Sequence, residues 1–350
     1  MIKFLIYLIL IFITIVLIYF LYKYIKNKVD DSIQVKIDIN NIPDVKWPFI
    51  NLKDENKKNL NILCIRGPIE KKKDEIFFNS CLKNNIKFIG CSSFLSFPGK
   101  SKNKHYKNKD FLYKNKPYFD PSYVIGWLHC FKDPDKYIKS NIPKLLISES
   151  DFDNMNLKPT KINKKYDFIV YCPKDEVCES GWHYHNKNWP LCKKTIQILC
   201  DKFNQKGLLV GREDCHINLK NNKNLEKTKF LKYWDFIKNI NQSKYIIIPS
   251  YEDASPRTIT EALMLDIPIL VNENILGGWK YVNKKSGKFY KEETIEDDVK
   301  IFLENLQNYK PREYFFENYG KTKSGTKLKD FIKKIYPELN DCNSVEFPVS

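Results

Sequence analysis

KYIIIPSYEDASPRTITEALMLDIPILVN, residues 244–272, reads as strand, turn, helix and strand in one run. KYIIIPS is a short apolar run closed by Pro-Ser, and IPILVN is a second; both have the length of strands buried on two faces. The segment PRTITEALML between them reads as a helix, so the stretch is a βα unit of a parallel sheet. Ser255 reads as the N-cap and Pro256 as the first helical residue, where a missing N–H costs nothing. Such a helix start points free N–H groups and a positive dipole end at the carboxyl edge of the sheet, where anions bind. Ala254 and Ala262 are the only two alanines of the chain. Ala254, beside the turn, lets a phosphate or sugar approach the backbone. Glu261, nearly two turns into the helix, can accept hydrogen bonds from the two hydroxyls of a ribose. The competing reading of the same residues is a capped helix with a surface Glu and two packing alanines.

Outward from this unit the same rhythm repeats. KYDFIVYCP (165–173), KGLLVGRED (206–214) and the two runs above read as strands, and LCKKTIQILCDKF (191–203) and FLKYWDFIKNINQS (230–243) as helices between them. That alternation is the pattern of a nucleotide-binding α/β half. Upstream, NLNILCIRGP (60–68), KFIGC (87–91), YVIGWLHCF (123–131) and PKLLISES (143–150) read as strands of a first series, with a helix at FFNSCLKNNI (77–86). The expected organisation is a segment 1–22, a polar tether 23–57, a first domain 58–160, a second domain 161–310, and a terminal helix and tail 311–350. A chain of 350 residues suits two such domains.

The net charge of +17 raises nucleic-acid binding as a possibility. The basic residues are spread from end to end with acids between them, which argues against it. From Phe4 to Tyr22 the sequence runs 19 residues without a charge, long enough to span a bilayer. No small-residue cleavage site follows, so the expectation is a single-pass, uncleaved transmembrane anchor. Lys23, Lys26 and Lys28 follow the run and only Lys3 precedes it, which leans toward a cytosolic body. Ten cysteines are scattered along a chain with enough apolar strand to need no staples, so reduced thiols are expected.

PSYEDASPRTITEALMLDIPILV is similar to the donor-site signature of group 1, family 4 glycosyltransferases of the GT-B fold. Asp253 and Glu261 keep that signature's spacing of acid, seven residues, Glu-Ala. The next loop, NENILGGWKYVNKKSGKFY, carries Gly277–Gly278 and Ser286–Gly287 and resembles the family's Gly-Gly donor loop. The family's Gly-aromatic-Gly is replaced here by Ala254-Ser255-Pro256, with Arg257 next. The resemblance implies an α/β fold of two Rossmann-like domains facing a cleft. It implies transfer of a sugar, with retention of configuration, from a nucleotide-sugar to a glycan, lipid or protein acceptor. The nucleotide-sugar is substrate; no cofactor and no essential metal are implied. Glu261 would hold ribose, and Gly277–Gly278 the donor through backbone N–H groups, with Asp253 and Ser255 beside it. The family's cationic pair on the diphosphate maps onto Lys187 and Arg212, with Arg257 a third cation; cations and a helix start stabilise a departing diphosphate. His129, at the end of a first-domain strand, resembles a histidine near the family's acceptor, and Asp151 ends the next strand.

CPKDEVCESGWHYHNKNWPLC (172–192) also holds Cys172, Cys178, His183, His185 and Cys192, the ligand types of zinc. The cysteine spacing is too wide for a zinc knuckle, and the stretch reads better as a long loop bordering the donor cleft, with Trp182 and Trp189 for packing or sugar stacking. The rival functions are a non-catalytic nucleotide- or glycan-binding module of the same fold and, further off, a basic nucleic-acid-binding protein.

Overall fold

A computed structural model describes residues 11–22, 45–69, 71–99, 123–153, 157–339 and 341–348. Residues 11–22 form helix α1, whose apolar side chains are exposed, Phe12 by 69%. Among the described residues no helix is long and apolar enough to cross a membrane. Residues 4–10 of the expected span lie outside the described residues.

Helix α2 (Lys72–Lys83) starts earlier than the sequence suggested, with Asp74 and Glu75 in its first turn and Lys83 in its last, charges that suit the helix dipole. Helices α1 and α2 belong to one compact unit; both sheets belong to the other.

The first sheet contains β1 (Phe49–Asp54), β2 (Asn59–Ile65), β3 (Lys87–Cys91), β4 (Val124–His129) and β5 (Lys144–Leu146). Strands β2 to β5 are parallel, and β1 runs antiparallel to β2 at one edge. Residues 49–54, expected within a tether, are therefore sheet. Their alternation is broken by a bulge between Asn51 and Lys53, which hid the strand.

The second sheet contains β6 (Tyr166–Tyr171), β7 (Gly207–Val210), β8 (Leu225–Thr228), β9 (Ser243–Ile248), β10 (Ile269–Asn272) and β11 (Gly287–Tyr290). All its pairings are parallel, in the order β11-β10-β9-β6-β7-β8. One face is covered by α5 (Tyr233–Asn241) and α6 (Arg257–Met264), the other by α4 (Trp189–Asp201) and α7 (Ile295–Glu304). The chain winds outward from β6 to β8, then returns to β9 and winds the other way. The order therefore reverses between β6 and β9, and in open α/β sheets ligands bind in the crevice above such a reversal.

After α8 (Pro311–Asn318), helix α9 (Lys321–Ile335) returns to the first sheet, where Leu328 and Ile332 join Ile62, Ile89 and Leu128 in one core. Strand β12 (Val345–Glu346) then adds to the edge of β1.

Candidate functional site: the crevice above β6 and β9

Lys187 and Asp253 meet over the reversal. Lys187 follows the short helix α3 (Trp182–Asn186), and Asp253 lies in the loop after β9. Their Nζ and Oδ2 atoms are 2.6 Å apart, with the side chains 17% and 19% exposed. Burial disfavours the Lys187 ammonium, but the charge and hydrogen bond of Asp253 outweigh it, so its pKa lies above the ordinary value. The two loops are further joined by Tyr251 N–H donating to the Asn186 carbonyl at 2.8 Å. The stretch 172–192, expected as loop, thus contains α3 and the first turn of α4.

Arg212 stands two residues after the end of β7 and is completely buried. Its Nη1 donates to the Cys178 carbonyl at 2.7 Å, and its guanidinium lies 4.3 Å from the centroid of the Trp189 ring. Nε and Nη2 have no oxygen acceptor among the described residues, and the Cys172 thiol is close enough to share a hydrogen bond with the guanidinium. The neighbouring Cys172 thiol is pushed up by burial and pulled down further by Cys192 and the guanidinium, ending below its ordinary pKa.

One expectation changes here. Cys178 and Cys215 form a disulfide, where reduced thiols were expected. The pair lies far apart in sequence and is brought together by the adjacency of β6 and β7, which spacing does not show. Of the zinc-type side chains in 172–192, Cys178 is in that bond; among the described residues the grouping with metal-ligand spacing is Cys178, Asp214 and Cys215, whose two sulfurs are bonded to each other. Trp189 is fully buried beneath Arg212 and packs rather than stacking on a sugar.

The turn after β9 differs from its expected capping. Helix α6 begins at Arg257 with Pro256 as N-cap and no side-chain cap. Ser255 instead turns to the first domain: its Oγ accepts from Ser150 N–H at 3.0 Å and lies 2.8 Å from Ser150 Oγ. The alanines are explained by packing. Ala262 is fully buried in the core beneath β9 and β10. Ala254 is 3% exposed, and a Cβ on Gly277 would lie 2.0 Å from its carbonyl oxygen. The Gly277 N–H donates to the Asp253 carbonyl at 2.8 Å, so that amide is engaged by the protein rather than offered to a donor. Gly278 has φ +79°, a conformation that favours glycine, and an added Cβ would meet Pro256. The small residues let two loops cross at backbone contact.

Glu261 is 4% exposed. Burial, reinforced by the nearby Asp153 carboxylate, raises its pKa from 4.5 to about 7, against the opposing pull of Arg257 and the Tyr233 hydroxyl. Asp153 lies at the end of the first domain and accepts from Thr260 Oγ1 at 3.4 Å.

The first domain contributes a second buried network. Ser148 and Asp151 form a capping box, and Asp151 also binds Lys280 Nζ and Tyr281 Oη. Trp279 Nε1 donates to the Cys130 carbonyl at 2.7 Å. His129 ends β4, is 7% exposed, and its Nδ1 has no hydrogen-bond partner among the described residues. Burial, followed by the charge of Lys280, lowers its pKa to about 4, so the imidazole is neutral at physiological pH. Beyond it, a cleft of about 320 Å³ is lined by Phe131, Lys132 and Tyr137 from one side and Tyr251, Glu252 and Asn274 from the other.

No protein-family profile and no curated protein sequence matches the chain. Solved structures do. A variant of S. aureus TarM, solved with fondaparinux, alpha-GlcNAc-glycerol and UDP, matches over 75% of this chain and 53% of its own, with 16% identity and a TM-score of 0.52. Sucrose-phosphate synthase from Thermosynechococcus elongatus matches over 75% and 72%, with 8% identity and a TM-score of 0.52. The pneumococcal O-GlcNAc transferase GtfA, solved with UDP and GlcNAc, matches over 75% and 54%, with 11% identity and a TM-score of 0.50. The chain has the GT-B fold. It spans about half the length of TarM and of GtfA.

Within that GT-B fold, Lys187, Asp253, Ser255, Gly277 and Gly278 cluster on the loops after β6, β9 and β10. Glu261 lies on the helix behind them with Arg257, and Arg212 lies beneath the loop that carries Cys178. His129 belongs to the opposite sheet. Asp153, Tyr233, Lys280 and Tyr281 were missed from sequence, because their partners come from distant segments. The acidic run in ISESDFD was the one available signal.

Proposed function

We propose that this chain is a glycosyltransferase that moves a sugar from a nucleotide-sugar to an acceptor entering from the first domain. The observation that carries the reading is the Lys187–Asp253 pair above the β6/β9 reversal. A cation there, already holding an anionic oxygen at 2.6 Å, is chemically suited to a diphosphate. Arriving diphosphate would take Lys187 and leave the Asp253 carboxylate to accept from the sugar hydroxyls. Glu261 would accept from the ribose, and Gly277 and Gly278 would shape the loop on which the donor rests. Neutral His129 would hydrogen-bond the acceptor rather than attract it by charge.

Transfer with retention and without an essential metal follows from the family resemblance, and so does the assignment of Arg212 and Arg257 to the phosphates. The bound UDP of the TarM and GtfA structures favours a nucleoside diphosphate leaving group, and their bound sugars a glycan acceptor. The uncharged run Phe4–Tyr22 supports a single-pass membrane anchor, with the body on the side of Lys23, Lys26 and Lys28. The non-catalytic alternative draws on one observation, the engaged Gly277 amide.

Thermal-shift titration with nucleoside diphosphates, followed by turnover of the matching nucleotide-sugars, tests the reading. A selective ligand should raise the unfolding temperature, and Lys187→Ala should weaken it by at least about tenfold while the chain stays folded. If no nucleoside diphosphate or nucleotide-sugar shifts the transition, the function is wrong; binding without turnover would favour the non-catalytic module.

A further inference from the structure

Of the ten cysteines, eight are free, and seven of those are buried. Cys81 and Cys200 are typical: burial pushes their thiols up to about 12, which leaves them inert. The Cys178–Cys215 disulfide is different in place: Cys215 is fully buried, but Cys178 is partly exposed. It joins the loop after β6 to the loop after β7, across 37 residues, in a domain that already has two apolar cores. Cys215 lies in the second of these cores, with Cys178 packed against it. The disulfide closes segment 173–181, which has no regular secondary structure, over Arg212.

The closure can be followed atom by atom. Arg212 is 0% exposed and donates to the carbonyl of Cys178 itself. The next residue, Glu179, accepts from Trp189 Nε1 at 2.9 Å and from Lys193 at 2.7 Å, and Trp189 is the ring on which the guanidinium lies. Two guanidinium nitrogens have no oxygen acceptor among the described residues, with the Cys172 sulfur as the neighbouring acceptor, and access to water or an anion would solvate the cation better. Apart from the disulfide, the segment is held by Lys174 N–H on the Gly211 carbonyl at 3.1 Å, by the Asp175 carboxylate accepting from His183 N–H at 2.8 Å, and by the Lys174–Asp214 and Lys193–Glu179 ion pairs, which hold little. Cys178 is partly exposed, so a thiol can reach it.

We propose that the Cys178–Cys215 disulfide is a redox gate over Arg212: oxidised, it locks the arginine beneath segment 173–181; reduced, it releases the segment and opens the guanidinium to an anionic ligand of the crevice. The opening agent is a dithiol reductant. Its thiolate attacks Cys178 Sγ and Cys215 leaves, taking a proton. The second thiol of the reductant then displaces Cys178, which also takes a proton, and the reductant ends as a disulfide. The gate predicts that Arg212 joins Lys187 on a diphosphate only in the reduced chain, and in that respect it rests on the nucleotide-binding reading.

The test is made on the full chain, oxidised and after dithiothreitol, with two readouts. Phenylglyoxal labelling of Arg212, followed by peptide mass spectrometry, should rise at least about fivefold on reduction and fall again on reoxidation. Affinity for UDP and GDP should rise at least about tenfold under the same treatment, and Cys178→Ser/Cys215→Ser should show the open values in both conditions. Equal Arg212 labelling in the two states overturns the gate, as does a finding that Cys178 and Cys215 alkylate freely before reduction. If labelling switches but neither nucleotide binds in either state, the gate stands and the nucleotide-binding reading fails.

Discussion

Glu261→Gln offers the sharpest physical test of the site. Glutamate ordinarily titrates near 4.5, whereas buried Glu261 titrates at about 7. Each pH unit of displacement corresponds to about 1.4 kcal/mol, so ionising Glu261 costs the folded chain about 3 kcal/mol more than it costs the unfolded one. The sign follows from proton counting. Between pH 4.5 and about 7 the folded chain holds a proton that the unfolded chain has lost, so stability falls as pH rises through this window and levels off above it. Glutamine is neutral throughout and nearly isosteric. The variant should match the wild type near pH 4.5 and exceed it by about 3 kcal/mol above pH 8. Urea unfolding of both proteins, from pH 4.5 to 8.5, reads the difference directly, because all other titrating groups are shared. A constant difference across the range would refute the reasoning, since it would mean that Glu261 ionises in the folded chain as easily as in water.

The same group should govern ligand binding. If ribose hydroxyls donate to ionised Glu261, the ratio of wild-type to Glu261→Gln Kd for a nucleoside diphosphate should fall by up to about tenfold per unit as pH rises toward 7, then flatten above it; calorimetry at fixed ionic strength measures it, and a pH-independent ratio would exclude the role. Gly277→Ala should lower the unfolding temperature, at a cost of about 1–3 kcal/mol, because the new Cβ would stand 2.0 Å from the Ala254 carbonyl oxygen. An unchanged transition in calorimetry would show that the two loops do not cross at backbone contact. Asp151→Asn should destabilise by about 3–5 kcal/mol by stranding the Lys280 ammonium, 7% exposed, and Asp151→Asn/Lys280→Met should recover much of that loss in urea titrations.

The second domain was the more legible in sequence because each of its strands is a compact apolar run followed by a helix, and periodicity survives in both. β6, β9, β10, α4 and α6 all lie where the pattern put them, within a few residues. β8 (LEKT) and β12 (VE) carried no such signal: they are short edge strands, and their pairing supplies what their composition lacks. The partners at the site were legible in part. Lys187 and Asp253 stood out as individual residues, but their ion pair did not, because 66 positions separate them.

Local chemistry, then, settled the strand–turn–helix character of residues 244–272, the positions of Lys187, Asp253 and Glu261, and the need for small residues at 254 and 262. These depend on neighbours within a turn or two, where side-chain volume and backbone preference act directly. What the small residues are for, the burial that moves Glu261, the Cys178–Cys215 bond and the return of α9 to the first sheet arose only on folding. Each is a property of surfaces brought together from distant parts of the chain, and desolvation and contact have no counterpart in spacing along it.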